Sequence, residues 1–151
     1  MEITSFESVL ERDGKLVFKT RGTSMKPMLR QGRDLVIIEP KTGRLRKFDV
    51  ALFRMGDKYV LHRVVAVRGG YYITRGDNRI GTEKPAEEDV FGVLTSFVRN
   101  GKTHSAKSFS HRVYAAFWTA LLPVRTVAGK VRSKCKKGTG VRNDTFRRGG
   151  T

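Results

Sequence analysis

The sequence predicts a mainly β fold: a coiled, barrel-like antiparallel sheet with a short helix before it and an amphipathic helix after it. Three observations predict this. Short apolar runs rich in Val, Ile, Leu, Phe and Tyr recur between residues 15 and 98. Turns rich in Gly, Asn and Asp separate them at the spacing of an antiparallel sheet. Helical periodicity is confined to the two ends.

Thr4-Ser5-Phe6-Glu7 has capping-box spacing, and Phe6, Val9 and Leu10 then share one helix face. A helix over about residues 5–12, stopped by Asp13-Gly14, follows. Lys15–Lys19 reads as a strand, and Arg21–Gly32, punctuated by Gly22, Pro27 and Gly32, as a loop. Four more strands are expected at Asp34–Glu39, Asp49–Arg54, Tyr59–Val67 and Tyr71–Thr74. Gly56-Asp57, Gly69-Gly70 and Gly76-Asp77-Asn78 supply turns. Val90–Val98 closes the series before Asn100-Gly101. After Ser110, Val113, Phe117, Ala120, Leu121 and Val124 recur at helical spacing, and Pro123 is expected to end or kink that helix.

Charge divides the chain differently. The net charge is +17, from 31 Lys/Arg against 14 Asp/Glu. Residues 1–101 contribute +6 of it and residues 102–151 contribute +11, with Asp144 the one acid of that segment. Three segments follow: a β-rich domain at 1–101, a basic linker and amphipathic helix at 102–137, and a tail at 138–151 too polar to bury a core. Such a tail seeks anionic surface, whether nucleic acid or lipid headgroups. A nucleic-acid binder is the competing class, but no zinc-finger, RRM or KH signature accompanies the charge.

The helical segment Val113–Val131 admits three readings, one of them a calmodulin-like partner site. Its stripe, with Tyr114 and Trp118 alongside, packs on its own domain. Otherwise Phe117, Trp118, Leu121 and Leu122 enter a lipid boundary while Arg112, Arg125, Lys130 and Arg132 meet anionic headgroups. No apolar run approaches the roughly 20 residues of a spanning helix, and Met1–Glu11 lacks a cationic n-region. The expected location is therefore cytoplasmic or peripheral to a membrane. Cys135 is the single cysteine, so no intrachain disulfide forms and a four-ligand structural zinc site is not supported. It reads as a surface thiol between lysines.

The candidate chemistry lies in three motifs: Gly22-Thr23-Ser24-Met25-Lys26-Pro27-Met28-Leu29, then His62-Arg63-Val64-Val65, then Gly76-Asp77-Asn78. Each alone reads as turn or strand chemistry. Together they hold what an acyl-transfer site needs. A hydroxyl is a poor nucleophile until a base takes its proton. A neutral imidazole suits that task near pH 7. A carboxylate then fixes the imidazole tautomer and stabilises the imidazolium. Of the three histidines, His62 alone lies in the β-rich part; His104 and His111 flank the polar linker. Spacing does not establish that Ser24, His62 and Asp77 meet.

The order Ser-Met-x-Pro, His-Arg-Val, Gly-Asp-Asn resembles the type I signal peptidases, in particular their endoplasmic-reticulum and archaeal-like branch. It is also similar to the wider group that includes self-cleaving repressor domains. The resemblance covers about residues 20–98. It implies Ser24 as nucleophile, His62 as general base where related branches use Lys, and Asp77 as the group that orients His62. It implies the Ser24 N–H as an oxyanion donor and a substrate surface at Met25 and Pro27. It implies a serine endopeptidase that removes a signal or leader segment from a precursor peptide, needing no metal or nucleotide. Two positions depart from the pattern. Gly22 stands where many members have a Ser that completes the oxyanion hole, which leaves Thr23 as a weak substitute. Glu83 stands where a further Asp is often found, as a longer replacement. The usual N-terminal membrane anchor of the family is not expected here. A catalytically inactive domain of the same fold is the remaining alternative.

Overall fold

The computed structural model describes residues 5–128. The expectations for Thr4, for Cys135 and for the 138–151 tail lie outside that range. The chain divides into two compact units, Met1–Ala120 and Leu121–Thr151.

The first unit is mainly β, with seven antiparallel strands in one sheet. Its elements are helix α1 (Phe6–Asp13), strands β1 (Leu16–Lys19), β2 (Leu35–Pro40), β3 (Val50–Met55), β4 (Lys58–Arg68), β5 (Tyr71–Arg75), β6 (Val90–Arg99) and β7 (Lys102–Ser105), and helix α2 (Phe109–Ala120). The order across the sheet is β1-β2-β6-β3-β4-β5, with β7 also on β6. The expected mainly β fold is present, and its sheet is not closed: β1 and β5 stand at the ends of this order.

The N-cap of α1 is Ser5, whose hydroxyl accepts from the Ser8 N–H at 3.1 Å. Gly14 ends the helix with φ +67°, a left-handed conformation that glycine adopts without Cβ strain. The Glu7 side chain, expected to complete a capping box, instead accepts from the Tyr59 hydroxyl at 2.7 Å.

Strand β3 is buried on both faces, from Val50 to Phe53. By the two-residue period of a strand, Val50 and Leu52 enter one apolar cluster with Leu10, Met25, Leu29, Val36, Ile38 and Leu94. Ala51 and Phe53 enter another with Val64, Tyr72 and Val90. Strand β4 changes partner midway: residues 58–63 pair with β3, and residues 63–68 pair with β5 on the opposite edge. The β5-side edge of residues 58–62 therefore carries no strand. This open edge positions the site.

Residues 102–105, expected in a linker, form edge strand β7. Helix α2 packs within the same unit. Ala115 is fully buried, Tyr114 stacks on Trp118, and the Trp118 Nε1–H donates to the Asp77 carbonyl at 2.8 Å. Arg112 lies 3.7 Å from Asp49. Trp118 and Arg112 thus both have partners in their own domain. Phe109, Val113 and Phe117 are the exposed large apolar residues of α2. In the second unit, residues 122–128 are helical, with Pro123 in the first turn, where its missing N–H removes no bond. Among the described residues, no helix is long and apolar enough to cross a membrane.

Candidate active site

Ser24 lies half-buried in the turn between β1 and β2. The turn is clamped from below. Asp34 is fully buried and accepts from Arg33, from Arg99 and from the Arg30 N–H. Burial alone would raise the Asp34 carboxyl, but the Arg33 and Arg99 guanidiniums hold it well below the usual carboxylate range. Arg99 also donates to the Met28 carbonyl, which ties the turn to the end of β6. Met25, Met28 and Leu29 plug the same turn into the core.

His62 and Arg63 are neighbours on β4 and point to opposite faces. The His62 ring meets Phe53 edge-on, and Arg63 donates to the Met28 sulfur on the other side. His62 is 7% exposed, and its Nδ1 lies 2.9 Å from Glu83 Oε2. The Thr74 hydroxyl donates to the same Glu83 oxygen at 3.2 Å. Glu83 is placed by a backbone bridge to Thr74 of β5. A carboxylate on Nδ1 holds the proton there and leaves Nε2 as the basic nitrogen.

Asp77 does something else. It is 5% exposed and forms a two-pronged pair with Arg63, both N···O distances being 2.8 Å. Arg63 also donates to the Phe48 carbonyl at 3.0 Å. Tyr114 and Trp118 of α2 reach Asp77 Oδ2 and its carbonyl. The carboxylate found on His62 is therefore that of Glu83, while Asp77, expected to orient His62, lies on Arg63. The Asp77 carboxylate neutralises a buried guanidinium.

The Gly76-Asp77-Asn78 turn brings the other two motifs together. The Asn78 N–H donates to the Ser24 carbonyl at 2.7 Å, and its side-chain amide donates to the Thr23 carbonyl at 3.2 Å. A Cβ on Gly76 would lie 2.7 Å from the Ser24 carbonyl oxygen and 3.0 Å from His62 Nε2. Ser24 and His62 thus converge on one glycine that has no room for a side chain. Arg63, Gly76 and Asn78 lay within the sequence motifs, but no role was assigned to them. A buried Asp needs a cation, so the Arg beside the candidate His was the available signal for Arg63.

Among the described residues, neither the Ser24 N–H nor its hydroxyl is engaged in a hydrogen bond. The N–H is free to serve an oxyanion, and the hydroxyl is free to meet a base. Thr23 is exposed, with its carbonyl held by Asn78, and the Gly22 N–H donates to Gln31 Oε1. Ser24 and His62 line a groove of about 770 Å³. Residues 18–22 line it on one side and residues 58–61 on the other, over Met25, Leu29 and Leu52. Met25 belongs to that lining, as expected of a substrate surface, and Pro27 does not. No known family model and no curated protein matches this chain.

Proposed function

We infer that this chain is a serine endopeptidase of the signal-peptidase type, acting on a leader or signal segment of a precursor peptide. One observation carries the reading. The Ser24 backbone carbonyl and His62 Nε2 both flank Gly76, Glu83 lies on the far nitrogen of the ring, and Ser24 and His62 both line one groove. A hydroxyl, an imidazole and a carboxylate on the far ring nitrogen are the groups that acyl transfer uses, and their gathering along one groove supports the reading.

An extended peptide enters the groove and pairs with the exposed edge of β1 or of residues 58–61 of β4, as strands added to sheet edges do. His62 Nε2 takes the Ser24 proton as the hydroxyl oxygen attacks the scissile carbonyl. Glu83 stabilises the imidazolium through Nδ1–H. The Ser24 N–H faces the developing oxyanion. The C–N bond breaks as His62 returns the proton to the leaving amine, leaving an ester on Ser24. A water molecule, deprotonated by the same nitrogen, then hydrolyses the ester.

The test is cleavage of synthetic leader peptides with small residues before the scissile bond, beside Ser24→Ala. Wild-type protein is expected to cleave, and mass spectrometry of a fluorophosphonate-treated sample to find the label on Ser24. Turnover by pure Ser24→Ala protein, or label on another residue, overturns the reading.

A further inference from the structure

The groove that holds Ser24 has a charge of its own. Lys19 and Arg21 stand on its β1 side and Lys58 on its β4 side, all three exposed, and no carboxylate belongs to the lining. Among the described residues, none of the three has an acid within 4.0 Å. Two carboxylates bonded to residues of the lining are already engaged: Glu7 accepts from the Tyr59 hydroxyl, and Glu83 lies on His62. The groove is therefore an apolar trough with uncompensated cations on both walls.

Their position is also defined. Lys58 precedes His62 by four residues on β4, roughly 13 Å at about 3.3 Å per residue. A peptide extended along that edge advances at the same rise, so its residue opposite Lys58 is about four positions from the bond at Ser24. Lys19 and Arg21 flank the same stretch from the other wall. We propose that the groove selects precursors carrying acidic residues about four positions from the cleaved bond. This rests on the peptidase reading for the bond that is cut, but not for the charge that is recognised. The apolar floor of Met25, Leu29 and Leu52 accepts small or apolar side chains between the acidic stretch and the scissile bond. Cations on both walls then discriminate by charge, and the discrimination is screened by salt.

The experiment uses three fluorescein-labelled 12-residue peptides with Ala-Gly-Ala at the centre and Asp-Asp, Asn-Asn or Lys-Lys four positions away on either side. With three exposed pairs contributing modestly each, kcat/KM for the Asp-Asp peptide should exceed that of the Lys-Lys peptide by about ten-fold at low ionic strength. The ratio should shrink with added NaCl. Lys19→Glu/Arg21→Glu/Lys58→Glu should invert the order, and the milder Lys58→Gln should narrow it. Equal kcat/KM for the three peptides, or a preference unmoved by both variants, overturns the proposal while leaving the peptidase reading in place. Anisotropy binding to Ser24→Ala separates the two ideas. If the wild type cleaves nothing yet Ser24→Ala binds Asp-Asp over Lys-Lys, the charge selection stands and the peptidase reading falls. A single-stranded oligodeoxynucleotide that displaces the bound peptide at a lower concentration than unlabelled Asp-Asp peptide overturns the proposal in favour of nucleic acid.

Discussion

Glu83 Oε2 lies 2.9 Å from Nδ1 of His62, while the nearer-looking acid of the Gly-Asp-Asn turn, Asp77, is locked onto Arg63. The two carboxylates therefore do different work, and mutation separates them. Glu83→Gln keeps the shape and an oxygen for Thr74 but removes the charge that stabilises an imidazolium. It should lower kcat on the order of 10³-fold with little change in melting temperature. Peptide kinetics beside a thermal melt reads both.

Asp77→Asn should show the reverse pattern. Arg63 and Asp77 are both almost wholly buried, each side chain being 3% exposed. Removing one partner leaves a guanidinium uncompensated in a dry site, which costs about 3–5 kcal/mol. Urea unfolding should show that loss. Cleavage measured well below the melting point should fall far less than it does for Glu83→Gln. A stable but inactive Asp77→Asn protein would return Asp77 to the catalytic set.

Gly76 gives a steric test of the meeting between Ser24 and His62. Its added Cβ would face a backbone carbonyl at 2.7 Å, which cannot swing aside as a side-chain tip can. Gly76→Ala must therefore shift the Ser24 turn or the His62 ring. Misplacement on the ångström scale should cost about 10²-fold in kcat/KM, because acyl transfer needs near-attack geometry. An unchanged rate would mean that the two residues do not act together at this point.

Much of this architecture was legible in the sequence because strand signals are local. Leu35–Ile38, the Gly56-Asp57 hairpin and the Val90–Val98 run carry apolar and turn chemistry within a few residues, and they fall in β2, the β3–β4 turn and β6. The order of Ser24, His62 and Gly76-Asp77-Asn78 was legible too. What was not legible depends on register between distant segments. The resemblance marked Glu83 as a possible second acid, but its place on His62 follows from its bridge to Thr74, a pairing that no spacing rule encodes. Strand β7 has the polar sequence Lys-Thr-His-Ser, without an apolar alternation to reveal it. Trp118 illustrates a different limit. A helical stripe shows which face is apolar but not whether protein or lipid covers it.

The clamp beneath Ser24 predicts acid lability. The Asp34 carboxyl titrates well below its ordinary value of about 3.9, because Arg33 and Arg99 favour its ionised form despite burial. A group depressed in the folded state contributes its stabilisation above the unfolded value and loses it as pH falls through the folded one. Stability should thus fall progressively as pH drops below about 4. Asp34→Asn should be less stable at pH 7 and should show a flatter decline over that range. Urea midpoints at a series of pH values measure this, and parallel curves for the two proteins would contradict it.

Helix α2 carries its own pH response. His111 packs against Phe97, and its Nε2 is buried without a hydrogen-bond partner among the described residues. Burial holds its pKa below the ordinary value, and Arg63 of β4 adds to this; Arg99 of β6 and His104 of β7 act in the same direction, against Asp77. Neutral His111 is therefore the form that fits. For such a lowered histidine, the stabilisation is complete above the unfolded value of about 6.5 and is lost as pH falls through the folded value. Acidification should loosen α2 from the sheet before the sheet itself unfolds, because the helix is held by few groups. Trp118, the single tryptophan, reports the event through its bond to the Asp77 carbonyl and its stacking on Tyr114. Its emission should be blue-shifted at pH 8, insensitive to anionic vesicles there, and red-shifted as pH falls below about 6. His111→Phe should keep the ring packing and abolish the shift. A red emission maximum at pH 8, or an acid shift that survives His111→Phe, would mean that His111 does not control the docking of α2.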